Sequence, residues 1–422
     1  MSAPESTVRR LADACPVRDA TTADPVGGVP PRWVASPTST EQVAALLRVA
    51  HEEDLAVVAR GTGSAQDCAA PPRRLDLVVE TGGLDQIVEY APNDLVLRVG
   101  AGVRLDAVAD LLAPHGQRLG VDPVRRGTVG GALAVGAAGP LRLSIGSARD
   151  LVIGMTCVRA DGVVAHSGGK VVKNVAGYDL GKLFAGSFGT LGVITELTFR
   201  LHPLPEASCW VGGLLEVSAV LDGSAVAGAL EALAQEQIVP AAVELDVPVD
   251  GRCSVWVQIE GTAAGLRQRA DVAAHLLGEG TQLRAEPPFW WAGQPPGTAV
   301  LKVTHEIGRG PALAGALREA ADRAGVRVAY RGSPLVGTAW LGVDADRPES
   351  AEACAQFAAF VEAARDRTAR AGGTLVVLGA PGSWRASVDA WGPVAGLGVM
   401  RAIKSQFDPA GLLAPGRFVG GI

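Results

Sequence analysis

The sequence predicts an α+β protein of two domains, the second built as an antiparallel sheet with helices on one face. Three observations predict it. A chain of 422 residues exceeds one ordinary core. Short β-branched runs alternate with stretches of helical spacing along its whole length, and the order of these elements changes character near Pro205. A hydrophobic fraction of 48% against 19% charged residues describes a folded chain, with any disorder confined to the ends.

After the lead PVGGVPPRW, Thr38 to Glu41 reads as a capping box, and Val43, Leu46, Leu47 and Ala50 follow on one helical face. Leu55 to Ala59 reads as a strand that delivers the turn Gly61-Thr62-Gly63-Ser64. Strands are expected at Asp76 to Val79 and Leu95 to Val99, then a helix over Leu105 to Leu112. Gly and Ala crowd between Gly116 and Gly139, as suits a backbone passing close to something bulky. Two strands flank the Asp161-Gly162 turn between Leu151 and Val164. Val175 to Ile194 holds a helix and a second glycine-rich turn, and a strand through Glu196 to Arg200 ends the domain near Pro205.

Beyond Pro205, strands are expected at Trp210 to Val217, Ala241 to Leu245, Val255 to Glu260, Val300 to His305, Val326 to Tyr330, Ala339 to Val343 and Thr374 to Leu378. Helices are expected over Val226 to Gln235, Ala264 to Leu277, Ala312 to Ala324 and Ser350 to Ala371. This rhythm gives the antiparallel sheet and its helical layer. Pro287 to Pro296 reads as a surface loop.

Composition excludes several functions. A net charge of -6 with dispersed arginines argues against a nucleic-acid partner. The six cysteines form no CxxC pair, so neither a metal site nor an iron–sulfur cluster is expected, and the thiols read as buried small side chains of a reducing compartment. No stretch approaches the roughly 20 apolar residues of a membrane span, and the start lacks a signal-peptide core. A cytoplasmic protein is expected, reaching a membrane only through partners.

Neither common nucleotide motif is present. Gly61-Thr62-Gly63 lacks the third glycine of GxGxxG, and Gly177 to Lys182 is one residue short of a P-loop. Three turns rich in glycine and small hydroxyls remain: RGTGS at 60–64, GTVGG at 127–131 and GSFGTLGV at 186–193. Glycine lets consecutive backbone N–H groups converge on an anion, and Ser or Thr adds donors, so together the turns can cradle a pyrophosphate. Each alone is also an ordinary tight turn.

In this order the pieces resemble the FAD-linked oxidase family, with its PCMH or vanillyl-alcohol oxidase type of FAD-binding domain. The likeness rests on RGTGS, DPVRRGTVGGALAVGAAGPLR, GSARDLVIGMTCVRADG and KVVKNVAGYDLGKLFAGSFGTLGVITEL, and resumes in KSQFDPAGLLAPGRF. It implies a two-subdomain FAD domain over residues 26–205, an inserted cap over 206–390, and a return to the FAD domain over 391–422. KNVAGYDL with AGSFGTLGV resembles the FAD-binding subunit of bacterial glycolate oxidase. That likeness implies oxidation of a small 2-hydroxy acid alongside a related flavin subunit and an iron–sulfur subunit. A stand-alone dehydrogenase of another small acid or alcohol, and a scaffold that keeps the fold without flavin, stay open beside it.

By motif position, Arg60, Gly61, Thr62, Gly63, Ser64, Ala65 and Gln66 would wrap the pyrophosphate. Asp122, Pro123, Thr128, Val129, Gly130, Gly131, Gly136, Ala137, Gly139 and Arg142 would run beside the ribityl chain and ring. Gly189, Thr190, Gly192, Val193 and Ile194 would offer backbone groups to the adenosine side. No histidine follows GTGS, so non-covalent FAD is expected. Two departures from the family pattern stand at Phe188, where an acid is frequent, and at Ala414 of the NPG-like Ala414-Pro415-Gly416.

Oxidising a 2-hydroxy acid needs a base for the hydroxyl proton and a cation for the carboxylate. His305, in KVTHE, is a lone candidate base or else a satisfied core histidine. Arg142 and Arg149 would meet phosphate or carboxylate, or form surface pairs. His166 and Lys170 lie in a loop beside Gly168 and Gly169; Lys173, Asn174 and Tyr178 are candidates for cofactor support; Asp179 would cap the next helix. Trp290 and Trp291 would line a pocket or subunit contact, or pack in the core.

Overall fold

The computed structural model of the chain describes residues 3–123, 126–170, 179–215 and 224–422. The chain divides into two compact units, one of Met1–Ala138, Gly146–Leu204 and Pro393–Ile422 and the other of Gly139–Ile145 and Pro205–Gly392.

In the first unit, β1 (Val17–Asp19), β2 (Trp33–Ala35), β3 (Val57–Arg60) and β4 (Leu77–Glu80) form a sheet ordered β1-β2-β4-β3. β2, β4 and β3 are parallel. Parallel strands need a crossover, and helix Thr40–Glu52 supplies it. The helix buries Val43, Ala44, Leu46, Leu47 and Ala50 in a core with Trp33, Ala35, Val57, Leu77 and Val79. Its cap is Ser39, whose extended backbone lets the hydroxyl accept from the Gln42 N–H at 3.2 Å. The cap thus sits one residue beyond the Thr38 expected of it, and the Thr38 N–H and hydroxyl both donate to the Gln42 side chain instead.

Helix Ala3–Ala14 sends Leu11 into the same core, so these first residues are ordered where composition allowed disorder. The remaining strands of this unit are β5 (Ile87–Ala91), β6 (Val96–Gly100), β7 (Gln117–Arg118), β8 (Val152–Val158), β9 (Val164–Gly168), β10 (Val193–Arg200) and β11 (His202–Pro203). They make an antiparallel sheet ordered β5-β6-β10-β8-β9 and a small β7-β11 ladder. β5 is an edge strand without alternation, its Ile87 and Val88 both exposed, which is why sequence periodicity misses it.

The second unit holds β12 (Ala207–Leu215), β13 (Ala242–Val247), β14 (Cys253–Gly261), β15 (Gln282–Arg284), β16 (Ala299–Thr304), β17 (Arg327–Ser333), β18 (Thr338–Asp344) and β19 (Leu375–Gly379). They form one antiparallel sheet ordered β15-β12-β14-β13-β17-β18-β16-β19. Helices Ser224–Gln235, Ala263–Leu277, Gly310–Ala324 and Ala351–Arg370 pack their apolar sides, including Leu230, Ala273, Leu317, Phe357 and Phe360, into a core with Val257, Leu301 and Leu341 of the strands. β16 shows the alternation that a one-sided core demands: Ala299, Leu301 and Val303 are buried, whereas Val300, Lys302 and Thr304 turn to the other face.

That other face is polar. Cross-strand partners share a face, and the register carries Lys302 to Trp340, Trp340 to Arg331, Arg331 to Asp246, and Asp246 to Ser254. The turn Pro140–Leu143 packs against β13 and β17. The segment Pro287 to Pro296 is more than the surface connection expected of it: Trp290 is buried under the Arg331 guanidinium, 5.2 Å from ring centroid to Cζ, and Arg331 donates to the Gln294 carbonyl at 2.9 Å. Trp291 packs edge-on against Trp210, with centroids 6.3 Å apart.

Candidate functional site

β3 ends at Arg60 and delivers the first glycine turn; helix Val129–Ala134 opens the second. The two meet. A Cβ at Gly61 would overlap the Thr128 side chain, and one at Gly127 would lie 2.7 Å from Ser64 Oγ and 3.3 Å from Thr62 Oγ1. Glycine at both positions is therefore what allows the turns to close on one another. Thr128 caps the helix, its hydroxyl accepting from the Gly131 N–H at 3.1 Å. A Cβ at Gly130 would meet Ala101, whose carbonyl accepts the Gly130 N–H at 2.9 Å.

The third turn adjoins the far end of that helix. Gly186 N–H donates to the Leu133 carbonyl at 3.0 Å and Phe188 N–H to the Ala134 carbonyl at 2.8 Å, and a Cβ at Gly136 would sit 3.4 Å from Gly186 Cα. A helix rises about 1.5 Å per residue, so a six-residue helix separates the first and third turns by only about 9 Å. The three glycine turns, 60–66, 127–131 and 186–190, thus converge on the two ends of one short helix.

The residues fit a dinucleotide cradle on two further counts. Gly63, Gly186 and Gly189 all have positive φ, and no atom lies within 4 Å of a Cβ at Gly186 or Gly189, so open space borders the third turn. Ser187 is buried and its hydroxyl has no hydrogen-bond partner among the described residues. An unpaired buried hydroxyl costs about 1–3 kcal/mol unless a ligand satisfies it. Ser187 was not among the residues singled out from sequence, although it stands inside GSFGTLGV.

Several candidates serve the cradle from behind. The Arg60 guanidinium is held by Asp24 at 2.7 Å and Glu80 at 2.8 Å, so it braces the turn. The Gln66 amide donates to the Ala59 carbonyl at 3.1 Å and accepts from Arg417 at 3.0 Å. Ala65 lies in the same turn, its carbonyl accepting the Cys68 N–H. Val129 is buried, its N–H on the Val103 carbonyl at 2.9 Å, and Ala137 N–H donates to Ala132. Val193 and Ile194 are strand residues paired with Val158 and Cys157, and Gly192 is wedged against Phe184. The backbone expected to face a ligand here therefore ends near Thr190, whose hydroxyl accompanies its N–H to the Ser187 carbonyl. Asp122 is half-buried and Pro123 buried, whereas Gly139 and Arg142 belong to the second unit.

Other expectations change with the tertiary contacts. His166 stands on β9 rather than in a loop, its Nδ1 3.0 Å from Thr156 Oγ1, and Lys170 pairs with Glu89. Asp179 occupies the cap position of helix Leu180–Phe184 without capping it; its carboxylate pairs with Lys182 at 2.9 Å. Lys173, Asn174 and Tyr178 lie outside the described residues. Arg149 is exposed. Cys15, Cys68, Cys157, Cys209 and Cys253 are buried, and burial pushes the Cys157 and Cys253 thiols up to about 12.

In the second unit, His305 is buried with both ring nitrogens engaged, Nδ1 at 2.8 Å from the Glu306 carbonyl and Nε2 at 3.3 Å from the Tyr330 hydroxyl. Burial lowers its pKa, which favours the neutral ring, against the hydrogen bond to the Glu306 carbonyl. On the polar face of the sheet, Asp246 and Arg331 form a buried pair at 2.7 Å. Lys302 differs: its ammonium has no hydrogen-bond or ion-pair partner among the described residues. Burial first, and then the Arg142 guanidinium, push it below the ordinary lysine range. Lys302 and Arg142 thus lie near one another, and Lys302 has no carboxylate partner among the described residues. Lys302 was missed in the sequence because a lysine inside an apolar strand carries no motif.

Comparison with known proteins agrees with this arrangement. Residues 31–168 match the FAD binding domain family, and residues 311–418 match the C-terminal domain of FAD linked oxidases. Glycolate oxidase subunit GlcE of Escherichia coli is 34% identical over 211 residues, 48% of this chain and 54% of that protein. A D-lactate dehydrogenase of Archaeoglobus fulgidus is 37% identical over 171 residues, 40% of this chain and 38% of that one. The chain thus spans about half the length of these two relatives or less. An uncharacterized FAD-linked oxidoreductase of Mycobacterium tuberculosis aligns over 92% of this chain and 91% of its own length at 27% identity. Among solved structures, an alkyldihydroxyacetonephosphate synthase has the same fold, with a TM-score of 0.73 at 16% identity over 99% of this chain and 86% of that one.

Proposed function

The chain belongs to the FAD-linked oxidase family, with a PCMH-type FAD-binding domain, and from that premise we propose that it is the FAD-binding subunit of a glycolate-oxidase-like complex. It would support oxidation of glycolate, or a close 2-hydroxy acid, to the 2-oxo acid. Electrons would pass to partners, a related flavin subunit and an iron–sulfur subunit. The observation that carries this reading is the convergence of the three glycine turns around helix Val129–Ala134, with the Ser187 hydroxyl left for a ligand.

Backbone N–H groups of Gly61 to Ser64 and of Gly127 and Thr128 would hold the pyrophosphate, with Thr62 and Ser64 adding hydroxyl donors, while the N–H groups of Val129, Gly130 and Gly131 are already taken within the chain. Ser187 and Gly189 would complete the hold from the third turn. FAD, when bound, supplies a two-electron acceptor. Lys302, helped by Arg142, would bind the substrate carboxylate and fix its orientation. His305 has both ring nitrogens occupied, one of them by Tyr330 of the apolar core, so it supplies no free base to this seat, which supports a subunit that depends on a partner.

Lys302 also favours a second reading, a stand-alone dehydrogenase of a small acid, since a scaffold has no use for an unneutralised cation. Purified protein separates the two. If glycolate bleaches the yellow chain without partners, the stand-alone reading holds; bleaching only in a reconstituted complex supports the subunit. Oxalate, which mimics the substrate carboxylate, should bind the chain, as calorimetry would read. Lys302→Met should weaken that binding about tenfold or more, as the loss of a charged hydrogen bond implies. Equal binding by the variant removes Lys302 from the site.

No helix among the described residues is long and apolar enough to cross a membrane. A cytoplasmic location, with membrane contact through partners, belongs to the same proposal.

A further inference from the structure

One C-terminal stretch touches both outer turns of the cradle. Arg417, buried, donates from Nη1 to Gln66 Oε1 and from Nη2 to the carbonyls of Gln66 and Cys68, all at 3.0 Å. Lys404 donates to the Thr190 carbonyl at 2.8 Å, to the Leu413 carbonyl at 2.9 Å and to Asp408 at 2.6 Å. Asp408 is itself buried and accepts the N–H groups of Leu412 and Leu413. Two ring contacts run alongside: Phe407 meets Phe184 edge-on at 5.7 Å, and Phe418 lies 6.0 Å from Phe188. The stretch is tied in turn to the strand that delivers the first turn, through Val57 N–H to Leu412 and Ala414 N–H to Val57, both 2.8 Å.

We infer that Lys404 and Arg417 are positioning residues for FAD, fastening the first and third glycine turns to one C-terminal latch. This rests on the reading of those turns as the cofactor cradle. The physical reason is peptide geometry. A planar trans peptide holds its carbonyl and the following N–H antiparallel. Drawing the carbonyls of Gln66 and Cys68 onto buried Arg417 and that of Thr190 onto half-buried Lys404 therefore sets the N–H groups of Asp67, Ala69 and Leu191 to point away from the latch. Glycine turns are permissive by nature, and a ligand pays less to bind turns that are already fixed. Neither latch residue touches the other, yet a single segment carries both, so the two turns are set in one register.

The test is made on full-length apoprotein, measuring the FAD dissociation constant and, separately, the melting temperature without FAD. Lys404→Met alone would strand the Asp408 carboxylate, so Lys404→Met is combined with Asp408→Asn. That double variant and Arg417→Met should each bind FAD about tenfold or more weakly, and Arg417→Lys should recover part of the loss. Apoprotein that melts early but binds FAD within about twofold of wild type overturns the latch and leaves a merely structural role. Gly63→Trp serves as the control on the cradle: loss of FAD there with wild-type binding in the latch variants overturns the latch alone. Retention of FAD by Gly63→Trp instead overturns the cradle reading.

Discussion

Asp24 shows how single residues support the first turn. It is buried, with Arg18 donating to both carboxylate oxygens and Arg60 to one of them, and it also accepts the Thr21 N–H. The hydrogen bond from Arg18, and next that from Arg60, hold its carboxyl far below the usual carboxylate range despite burial. A depressed folded-state pKa stabilises above the unfolded value, near about pH 4, and the benefit fades as pH falls below it. Asp24→Asn should therefore cost about 2–3 kcal/mol near neutrality, and the gap to wild type should narrow on acidification below about pH 4. Urea unfolding at two pH values measures this; a gap independent of pH would refute it. Arg60 was legible in sequence as part of the turn, but its partners lie 36 and 20 residues away, and no local pattern announces them.

Elements were read more securely than their contacts. Helix Leu105–Leu112 has the bounds that periodicity predicts, and the strands and helices expected beyond Pro205 lie within a few residues of expectation, whereas strand Gln282–Arg284 and helices Gly382–Ala386 and Leu397–Phe407 have no counterpart in that reading. Helix Val129–Ala134 was hidden, because two glycines in six residues contradict helix propensity; Thr128 capping and the approach to Ala101 override it. The Trp290 loop reads from sequence as a surface connection because it is rich in Pro and Trp and sits between two runs of regular elements, whereas a distant arginine pins it. Arg331→Met should release that loop and leave Asp246 buried without its counter-charge, for which burial already pushes the carboxyl up. The expected cost is about 3–5 kcal/mol. Trp fluorescence shifted to longer wavelength should accompany it; an unshifted spectrum in a destabilised variant would detach the loop from Arg331.

At the scale of the molecule, each unit has its own apolar core, with Leu46, Leu77 and Val193 in the first and Phe357, Phe360 and Trp384 in the second. Trp384 is fully buried, stacked on Phe357 at 4.6 Å, with its Nε1–H on the Pro348 carbonyl at 2.8 Å. Trp384→Ala should destabilise the second unit by about 3–5 kcal/mol while each folded chain still retains FAD, because the glycine turns belong to the first unit. Calorimetry with flavin absorbance checks this. Loss of flavin in step with loss of stability would mean that retention depends on both units.

What the sequence by itself determined is the local and the collinear: the α+β class, most elements, the three glycine turns and their order, and through that order the family and its FAD. Periodicity, turn chemistry and motif order are properties of neighbours along the chain, so they survive in one dimension. Tertiary structure alone decided which residues brace, which contact and which stand unpartnered. Arg60 and Gln66 face inward, Ser187 and Lys302 are left without partners among the described residues, and Lys404 and Arg417 reach across 214 and 351 positions to the turns they hold. Charge neutralisation and hydrogen-bond satisfaction are settled by distance in space, and only the fold sets that distance.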